Sequence, residues 1–237
     1  MNAGTDIDMQ DGMSVYPSIA DVQSVIFDFD YTLADSSDGV IECVNYALGR
    51  LGLPAASDDA IRRTIGLSLP RTLTELAGDE QASQGDKFMR LFIERADVVL
   101  HDSIVLFDFV PPMVDALMSN GIRLGIVSSK FRRRIERVLL RDGLARRFEV
   151  IVGGEDVHGL KPDPPGLLRA VETLGTSKEC CLYVGDSVTD AETAKRAGIR
   201  FAAVLSGVTK REAFANYTPA VILQSAADLA GALHGAR

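Results

Sequence analysis

The chain has 237 residues, of which 46% are hydrophobic and 24% are charged, a balance that is typical of a globular protein rather than a disordered or fibrous one. This length suits one domain that carries a large insert. The 33 acidic and 25 basic residues give a net charge of -8, which disfavours binding to nucleic acids or to anionic membranes.

The N-terminal segment predicts a flexible tail over residues 1–22, with Met13 as an alternative start. The tail lacks the basic start and the apolar stretch of a secretory signal. No apolar run reaches the roughly 18 to 20 residues that a membrane crossing needs. The three cysteines, Cys43, Cys180 and Cys181, fit neither a disulfide framework nor a zinc site. We therefore expect a cytoplasmic protein, a monomer or a homodimer, that binds no membrane.

Short apolar runs alternate with segments of helical period, which predicts a parallel β-sheet. The runs are apolar at consecutive positions, as expected for strands that crossover helices cover on both faces. The predicted fold class is therefore α/β, with a Rossmann-like parallel sheet and helices on both faces. The predicted strands cover residues 24–28, 122–128, 148–152, 181–185 and 201–205, with a weaker sixth strand at 221–223.

A helical insert follows the first predicted strand. About ninety residues separate this strand from the second, far more than a usual crossover needs. These residues show helical patterns and no clear strand, so we expect a helical cap domain over residues 36–108. The core domain is then formed by residues 23–35 and 109–237.

Start and stop signals mark individual helices. In the insert, the first helix is predicted to begin after Ser36 or Ser37, and a long amphipathic stretch covers about residues 80–100. Residues 107–112 are expected to be the linker back to the core. In the core, one helix is predicted to begin near Pro165 and to end at Gly175.

Four carboxylates stand at the ends of two predicted strands. Asp28 ends the first predicted strand and Asp30 follows two residues later, while Asp186 and Asp190 follow the strand over residues 181–185. The carboxyl ends of the strands form the ligand crevice in open α/β sheets, so these four side chains are expected to converge. At an effective dielectric constant near 20, two such charges ~5 Å apart repel by ~3 kcal/mol. A divalent cation would offset this repulsion, and a set of ligands made only of oxygen atoms favours Mg²⁺.

Four ordered motifs resemble those of the haloacid dehalogenase superfamily of phosphatases, subfamily I, and the resemblance covers nearly all of the chain from about residue 24. The motifs lie at residues 28–32, 126–130, 161–164 and 185–190. The resemblance implies that Asp28 attacks phosphorus to form an aspartyl phosphate and that Asp30 acts as a general acid and then as a general base. It also implies Mg²⁺ as the cofactor, held by Asp28, the backbone carbonyl of Asp30, Asp186 and, usually through water, Asp190.

The resemblance also assigns phosphate contacts. Ser128, with Ser129 beside it, matches the hydroxyl that binds the transferring phosphoryl group, although Ser128 also suits a helix cap. Lys161 matches the lysine that bridges the nucleophile and the phosphate. Its neighbours Pro162 and Pro164 predict an extended, stiff backbone.

Two features depart from a simple match. Tyr31 stands where many relatives have glycine, which concerns substrate choice more than catalysis, although ordinary packing is the simpler interpretation. Arg132, Arg133 and Arg134 occupy the predicted first turn of a helix, where cations oppose the helix dipole by ~0.3 to 1 kcal/mol each. They are interpreted as a solvated basic face, with attraction of an anionic substrate as the alternative.

The place and size of the insert resemble those of the capped phosphatases near phosphoglycolate phosphatase, so the expected partner is a small phosphorylated metabolite. Arg71 is a candidate to grip a substrate carboxylate. Pyrophosphatase, sugar-phosphate phosphatase and phosphoglucomutase-like activities share this scaffold and stay open, as does a non-catalytic binding protein. The second carboxylate, Asp30, argues against carbon-halogen cleavage, because that reaction releases no alcohol that needs a proton.

Overall fold

A computed structural model describes residues 19–235 of the chain. Over these residues the strands are β1 (Ser24–Phe27), β2 (Ala34–Asp35), β3 (Val105–Leu106), β4 (Arg123–Val127), β5 (Val150–Val152), β6 (Cys181–Gly185), β7 (Arg200–Val204) and β8 (Val221–Leu223). Six of them form one sheet in the order β5-β4-β1-β6-β7-β8, and all neighbouring strands run parallel. The predicted parallel sheet is therefore confirmed, with strand β1 in its interior.

The helices over the same residues are α1 (Ser37–Arg50), α2 (Asp58–Arg62), α3 (Leu69–Ala77), α4 (Gly85–Ser103), α5 (Val110–Ser119), α6 (Arg132–Arg141), α7 (Pro165–Leu174), α8 (Val188–Ala197) and α9 (Leu229–Gly235). Helices α7 and α8 cover one face of the sheet, while α5 and α6 cover the other, with α9 beside α5. Consecutive residues of a strand point to opposite faces. Accordingly, Val25 and Phe27 belong to one hydrophobic core and Ile26 to the other.

The ends of the strands place the polar residues at one edge of the sheet. Strands β1 and β4 end at Phe27 and Val127, so Asp28 and Ser128 are the first residues beyond them and not part of the strands. Strand β6 ends at Gly185, directly before Asp186.

Most of the predicted N-terminal tail lies outside the described residues, and so does Met13. Within the described part, Ile19 and Val22 are buried in the main hydrophobic core. The last residues of the predicted tail therefore pack against the folded chain.

Helices α1–α4 form the predicted helical insert, in which α1 packs along α4. The insert was expected to contain no strand, but β2 and β3 form a short antiparallel pair at its base, with Ala34 opposite Leu106. The predicted linker over residues 107–112 is wrong in its second half, because α5 begins at Val110 with prolines in its first turn. Proline suits this position because the first helical N–H groups need no partner within the helix.

No helix over residues 19–235 combines the length and the apolarity that a membrane crossing demands.

Candidate active site

The functional candidates lie at the carboxyl edge of the three central strands. Phe27 of β1 pairs with Ile126 of β4 and with Val184 of β6, so these strands end at nearly the same level. The residues that follow them, above all Asp28 and Asp186, are therefore brought together although they are far apart in the sequence.

Three of the four predicted carboxylates converge. One carboxylate oxygen from each of Asp28, Asp186 and Asp190 lies within 4.8 Å of the others, and all three residues are buried. We call this cluster the acid trio. The prediction that all four side chains converge is wrong for Asp30, whose carboxylate has other neighbours.

Lys161 is the cation next to the acid trio. Its Nζ lies 2.8 Å from Asp28 Oδ1 and 2.7 Å from Asp190 Oδ1, and its side chain is only 4% exposed. The contact to Asp28 is an ion pair rather than a hydrogen bond of standard geometry, since that oxygen accepts no such bond. With all three carboxylates ionised, the acid trio and the one ammonium group together carry a formal charge of -2.

Burial and crowding change the acidity of these groups. Burial, assisted by the charges of Asp190 and Asp30, raises the pKa of Asp28 to about 6 despite the opposing effect of Lys161. Burial and the charges of Asp190 and Asp28 raise the pKa of Asp186 well above its usual range. Burial alone would lower the pKa of Lys161, but the carboxylates of Asp190 and Asp28 reverse this and raise it. The site therefore favours a bound positive charge.

Asp190 holds Lys161 in place. Its Oδ1 accepts hydrogen bonds from Lys161 Nζ at 2.7 Å and from the Tyr183 hydroxyl at 2.8 Å. Its Oδ2 accepts from the backbone N–H and the hydroxyl of Ser187, which complete a capping box at the start of α8. Gly185 permits this packing, since a Cβ atom there would lie 2.6 Å from the Asp190 carboxylate carbon. Both oxygens of Asp190 thus have protein donors.

Tyr183 is the site residue that the sequence reasoning missed. Its hydroxyl also lies 3.2 Å from the Val127 carbonyl oxygen and accepts from Lys161 Nζ at 3.3 Å. A signal was present, because a tyrosine in the middle of a strand that is covered on both faces needs a buried partner for its hydroxyl. The sequence did not show that this partner would be Asp190.

The backbone around Lys161 differs from the prediction. The neighbouring prolines indicated an extended segment, but residues 161–164 form turns and bends before α7 begins at Pro165. Helix α7 ends at Leu174, and Gly175 follows in the left-handed conformation, as predicted.

Asp30 is not part of the acid trio and has its own partners. Its Oδ1 accepts a 2.5 Å hydrogen bond from the Ser36 hydroxyl and lies 3.2 Å from Lys130 Nζ. The Ser36 side chain therefore donates its hydrogen bond to Asp30 and makes no cap hydrogen bond to α1.

The two serines after β4 have separate contacts. Ser128 is buried, and its hydroxyl accepts a 3.3 Å hydrogen bond from the backbone N–H of Lys130. The predicted alternative, a cap for α6, is not made, because the cap residue is Phe131. The Ser129 hydroxyl donates to the carbonyl oxygen of Gly66 at 3.0 Å. Ser129 therefore joins the core to a turn of the insert.

Tyr31 is buried in the loop that follows β1. Its φ of 58° lies in the left-handed region, where glycine is favoured, which explains why glycine suits this position. The Tyr31 carbonyl oxygen accepts a 2.5 Å hydrogen bond from Ser206. Gly207, which follows Ser206, lies so close to the acid trio that a Cβ atom there would clash with Asp186. Tyr31 thus packs in the site wall, as the simpler interpretation held.

The arginines of the sequence analysis lie at the surface or between core and insert. Arg71 has a side chain that is 61% exposed and lies 3.8 Å from Glu75, and it does not line the cavity described below. Arg133 and Arg134 both donate to Asp97 of α4, at 2.9 Å and 2.8 Å. The interpretation of a solvated basic face is wrong for Arg134, whose side chain is only 11% exposed. Carboxylates of neighbouring elements thus offset the unfavourable dipole interaction.

A cavity of about 270 Å³ lies between the insert and the core, and we call it the cap–core cavity. Asp30, Ser129 and Lys130 line its core side, together with Phe131, Arg134, Gly154, Glu155 and Leu160. Its insert side is lined by Val40, Val44, Thr64, Ile65, Gly66, Leu67, Ser68, Leu69, Pro70, Thr72, Met89, Phe92 and Leu100. The cavity therefore opens onto Asp30, next to the edge that carries the acid trio.

Carboxylates at the edge of a parallel sheet, below inserted helices, are the arrangement of a capped hydrolase. Residues 25–204 match the family described as haloacid dehalogenase-like hydrolase. The chain belongs to this family, as the four motifs predicted, and it is therefore a hydrolase.

Relatives with known names agree with this assignment. Phosphoglycolate phosphatase of Escherichia coli (strain K12) is 32% identical over 235 residues, which cover 90% of this chain and 93% of the relative. The protein of the same name from Salmonella typhimurium is 32% identical over 236 residues, covering 91% and 94%. A solved structure from Bacteroides fragilis, a provisionally assigned haloacid dehalogenase-like hydrolase, has 40% identity and a TM-score of 0.85 over 88% of this chain and 99% of that chain.

Proposed function

We propose that this hydrolase is a Mg²⁺-dependent phosphatase that cleaves small phosphomonoesters through an aspartyl phosphate, an acyl phosphate formed on Asp28. The observation that carries the proposal is the different surroundings of two carboxylates only two residues apart. Asp28 lies in the acid trio beside Lys161, while Asp30 lies at the wall of the cap–core cavity. A nucleophile and a proton donor need such different surroundings.

The proposed reaction has two steps. First, a carboxylate oxygen of Asp28 attacks phosphorus, the bond from phosphorus to the ester oxygen breaks, and Asp30 gives its proton to the leaving alcohol. Then Asp30 takes a proton from water, the water oxygen attacks phosphorus, and the bond to Asp28 breaks. Inorganic phosphate leaves, and both carboxyl groups return to their starting states.

The residues at the edge of the sheet fit a divalent cation. Asp28 and Asp186 offer buried oxygen ligands, the site carries a formal charge of -2 with all three carboxylates ionised, and Asp28 Oδ1 accepts no hydrogen bond of standard geometry. The backbone carbonyl of Asp30 is a further proposed ligand. Asp190 would act indirectly, since protein donors engage both of its oxygens. When bound, Mg²⁺ supplies positive charge that offsets the charge of the phosphoryl oxygens.

Lys161 and Ser128 are proposed to bind the transferring phosphoryl group. The ammonium group of Lys161 is fixed by Asp190 and Tyr183, so it is preorganised beside the nucleophile. Ser128 follows β4 at the same edge and is buried. The contact of Ser129 to the insert makes a role in cap closure more fitting than a direct phosphate contact.

Phosphoglycolate is the first substrate to test, because the curated relatives carry the name phosphoglycolate phosphatase, and the cavity described above decides how it compares with other esters. The intact pair Asp28 and Asp30 beside Lys161 favours an enzyme over a non-catalytic binding protein. A cytoplasmic location and the choice between monomer and homodimer stay expectations from the sequence.

The test is the release of phosphate from phosphoglycolate and from a generic aryl phosphate, with Mg²⁺ and with a chelator. Asp28→Asn should abolish Mg²⁺-dependent release, while Asp59→Asn, on the exposed surface of α2, should not change it. Acid quenching of Asp30→Asn during turnover should capture phosphate on Asp28. Metal-independent release, or full activity of Asp28→Asn, would refute the proposal.

A further inference from the structure

The lining of the cap–core cavity bears on the alcohol that the enzyme releases. We propose that the preferred substrates are phosphomonoesters whose leaving alcohol has a sizeable apolar body, rather than a short anionic alcohol such as glycolate. This inference rests on the proposed phosphatase function and concerns its substrate class.

The position of the cavity identifies the part of the substrate that it receives. Asp30 lines the cavity, whereas Asp28, Asp186 and Lys161 do not. In the proposed reaction the phosphoryl group binds at the acid trio and the leaving oxygen meets Asp30. The rest of the leaving alcohol must then extend from Asp30 into the cavity.

The size of the cavity exceeds that of glycolate. Its volume of about 270 Å³ is many times the ~10–15 Å³ of such space that one water molecule needs. Glycolate has only five non-hydrogen atoms, so it would leave much of this space to water.

The insert gives the cavity apolar walls. Leu67 from the turn before α3, Leu69 from the start of α3, and Met89, Phe92 and Leu100 from α4 line the space. Removal of such surface from water favours binding in proportion to the apolar area buried.

The charged groups at the cavity already have partners within the protein. Lys130 Nζ is 3.2 Å from Asp30, and the Arg134 guanidinium donates to Asp97 at 2.8 Å. Glu155 accepts from the backbone N–H of Arg132 at 3.0 Å. Arg133 also donates to Asp97, and Asp30 carries no charge while it holds its proton, so these contacts do not by themselves exclude an anionic alcohol. The proposed preference therefore depends on the size and the apolar walls of the cavity.

Selectivity is best measured with simple n-alkyl phosphates from ethyl to octyl, beside phosphoglycolate. Their leaving alcohols have similar acidity, so chain length changes the burial in the cavity and little else. At ~0.8 kcal/mol for each buried methylene, kcat/KM should rise about fourfold per methylene until the cavity is full, and should exceed kcat/KM for phosphoglycolate.

Two variants tie the trend to the cavity. Leu67 and Met89 are half-buried, so Leu67→Gln and Met89→Gln should fold and should each flatten the dependence on chain length. Val98→Gln is the matched control, because Val98 lies on the same helix as Met89, is 68% exposed and does not line the cavity. The inhibition constants of n-alkyl phosphonates, which are not hydrolysed, should fall with chain length in the same way and report binding alone.

The outcomes separate the two proposals. Absence of Mg²⁺-dependent hydrolysis for every ester would overturn the phosphatase function and this inference with it. Hydrolysis with no dependence on chain length, or with phosphoglycolate as the best substrate, would overturn the inference alone. A rising series that Leu67→Gln and Met89→Gln leave unchanged would also overturn it.

Discussion

The acid trio predicts that Mg²⁺ stabilises the folded chain more strongly as the pH rises from about 5 to about 7.5. The perturbations are the addition of excess Mg²⁺ and the substitution Asp186→Asn, which removes one charge and keeps the shape of the side chain. Neither measurement depends on turnover, so they examine the metal site separately from the reaction.

The direction of the pH effect follows from Asp28. Its folded pKa of about 6 lies above the unfolded value near 3.8, so the folded chain keeps a proton that the unfolded chain has released between these values. The stability that the protonated Asp28 contributes is therefore fully present below about pH 4 and is lost as the pH rises to about 6. The loss is about 3 kcal/mol in the absence of metal. Asp186, whose pKa is also raised, acts in the same direction.

The size of the Asp186→Asn effect follows from distances within the acid trio. Two carboxylate oxygens 4.8 Å apart repel by about 3 kcal/mol at an effective dielectric constant of 20. Asp186 makes two such pairs, and its attraction to Lys161 offsets part of the repulsion. We expect metal-free Asp186→Asn to be about 1 to 3 kcal/mol more stable than the natural chain near pH 7.5.

The assay is urea unfolding with a chelator and with excess Mg²⁺, at about pH 5 and about pH 7.5. Near pH 7.5, Mg²⁺ at ~100 times its dissociation constant should add about 2.7 kcal/mol to the natural chain. Near pH 5 the gain should be less than about half of this, because protons compete for Asp28. Asp186→Asn should lose the gain, and Asp59→Asn should keep it. Equal gains at both pH values, or a full gain in Asp186→Asn, would refute the reasoning.

Three further substitutions probe the surroundings of the site. Tyr183→Phe removes a hydrogen-bond donor that helps to hold Asp190. It should therefore lower the free energy of unfolding in urea by about 1 to 2 kcal/mol and reduce kcat/KM about three- to tenfold. Unchanged kinetics would contradict this. Tyr31→Phe should change the free energy of unfolding by less than about 1 kcal/mol, since the buried hydroxyl makes no hydrogen bond of standard geometry although Arg62 and Ser37 lie beside it, and a loss of more than about 2 kcal/mol would contradict this. Ser129→Ala, which removes the bond to Gly66, should raise KM a few-fold in steady-state assays with a smaller change in kcat; the reverse pattern would contradict a role in cap closure.

The sheet and the convergence of the three carboxylates of the acid trio could be predicted, because both depend on local patterns. Apolar runs mark strands that are buried on both faces, and parallel strands end at a common edge, so Asp28 and Asp186 had to meet. The short pair β2 and β3 escaped prediction, because two residues form no periodic pattern. Tyr183 as partner of Asp190 and the links from the insert to α6 depend on tertiary packing, which one sequence does not encode in any local signal.

The separation of Asp28 from Asp30 shows how the chain gives two similar side chains different surroundings. Residues two apart on a continuing strand would point to the same face, which would place both carboxylates in the acid trio. Strand β1 instead ends at Phe27, and the loop turns through the left-handed conformation of Tyr31. Asp30 is thereby directed to Lys130, and Asp28 to Lys161. Each carboxylate has its own lysine, so a change at one pair can be measured against the other.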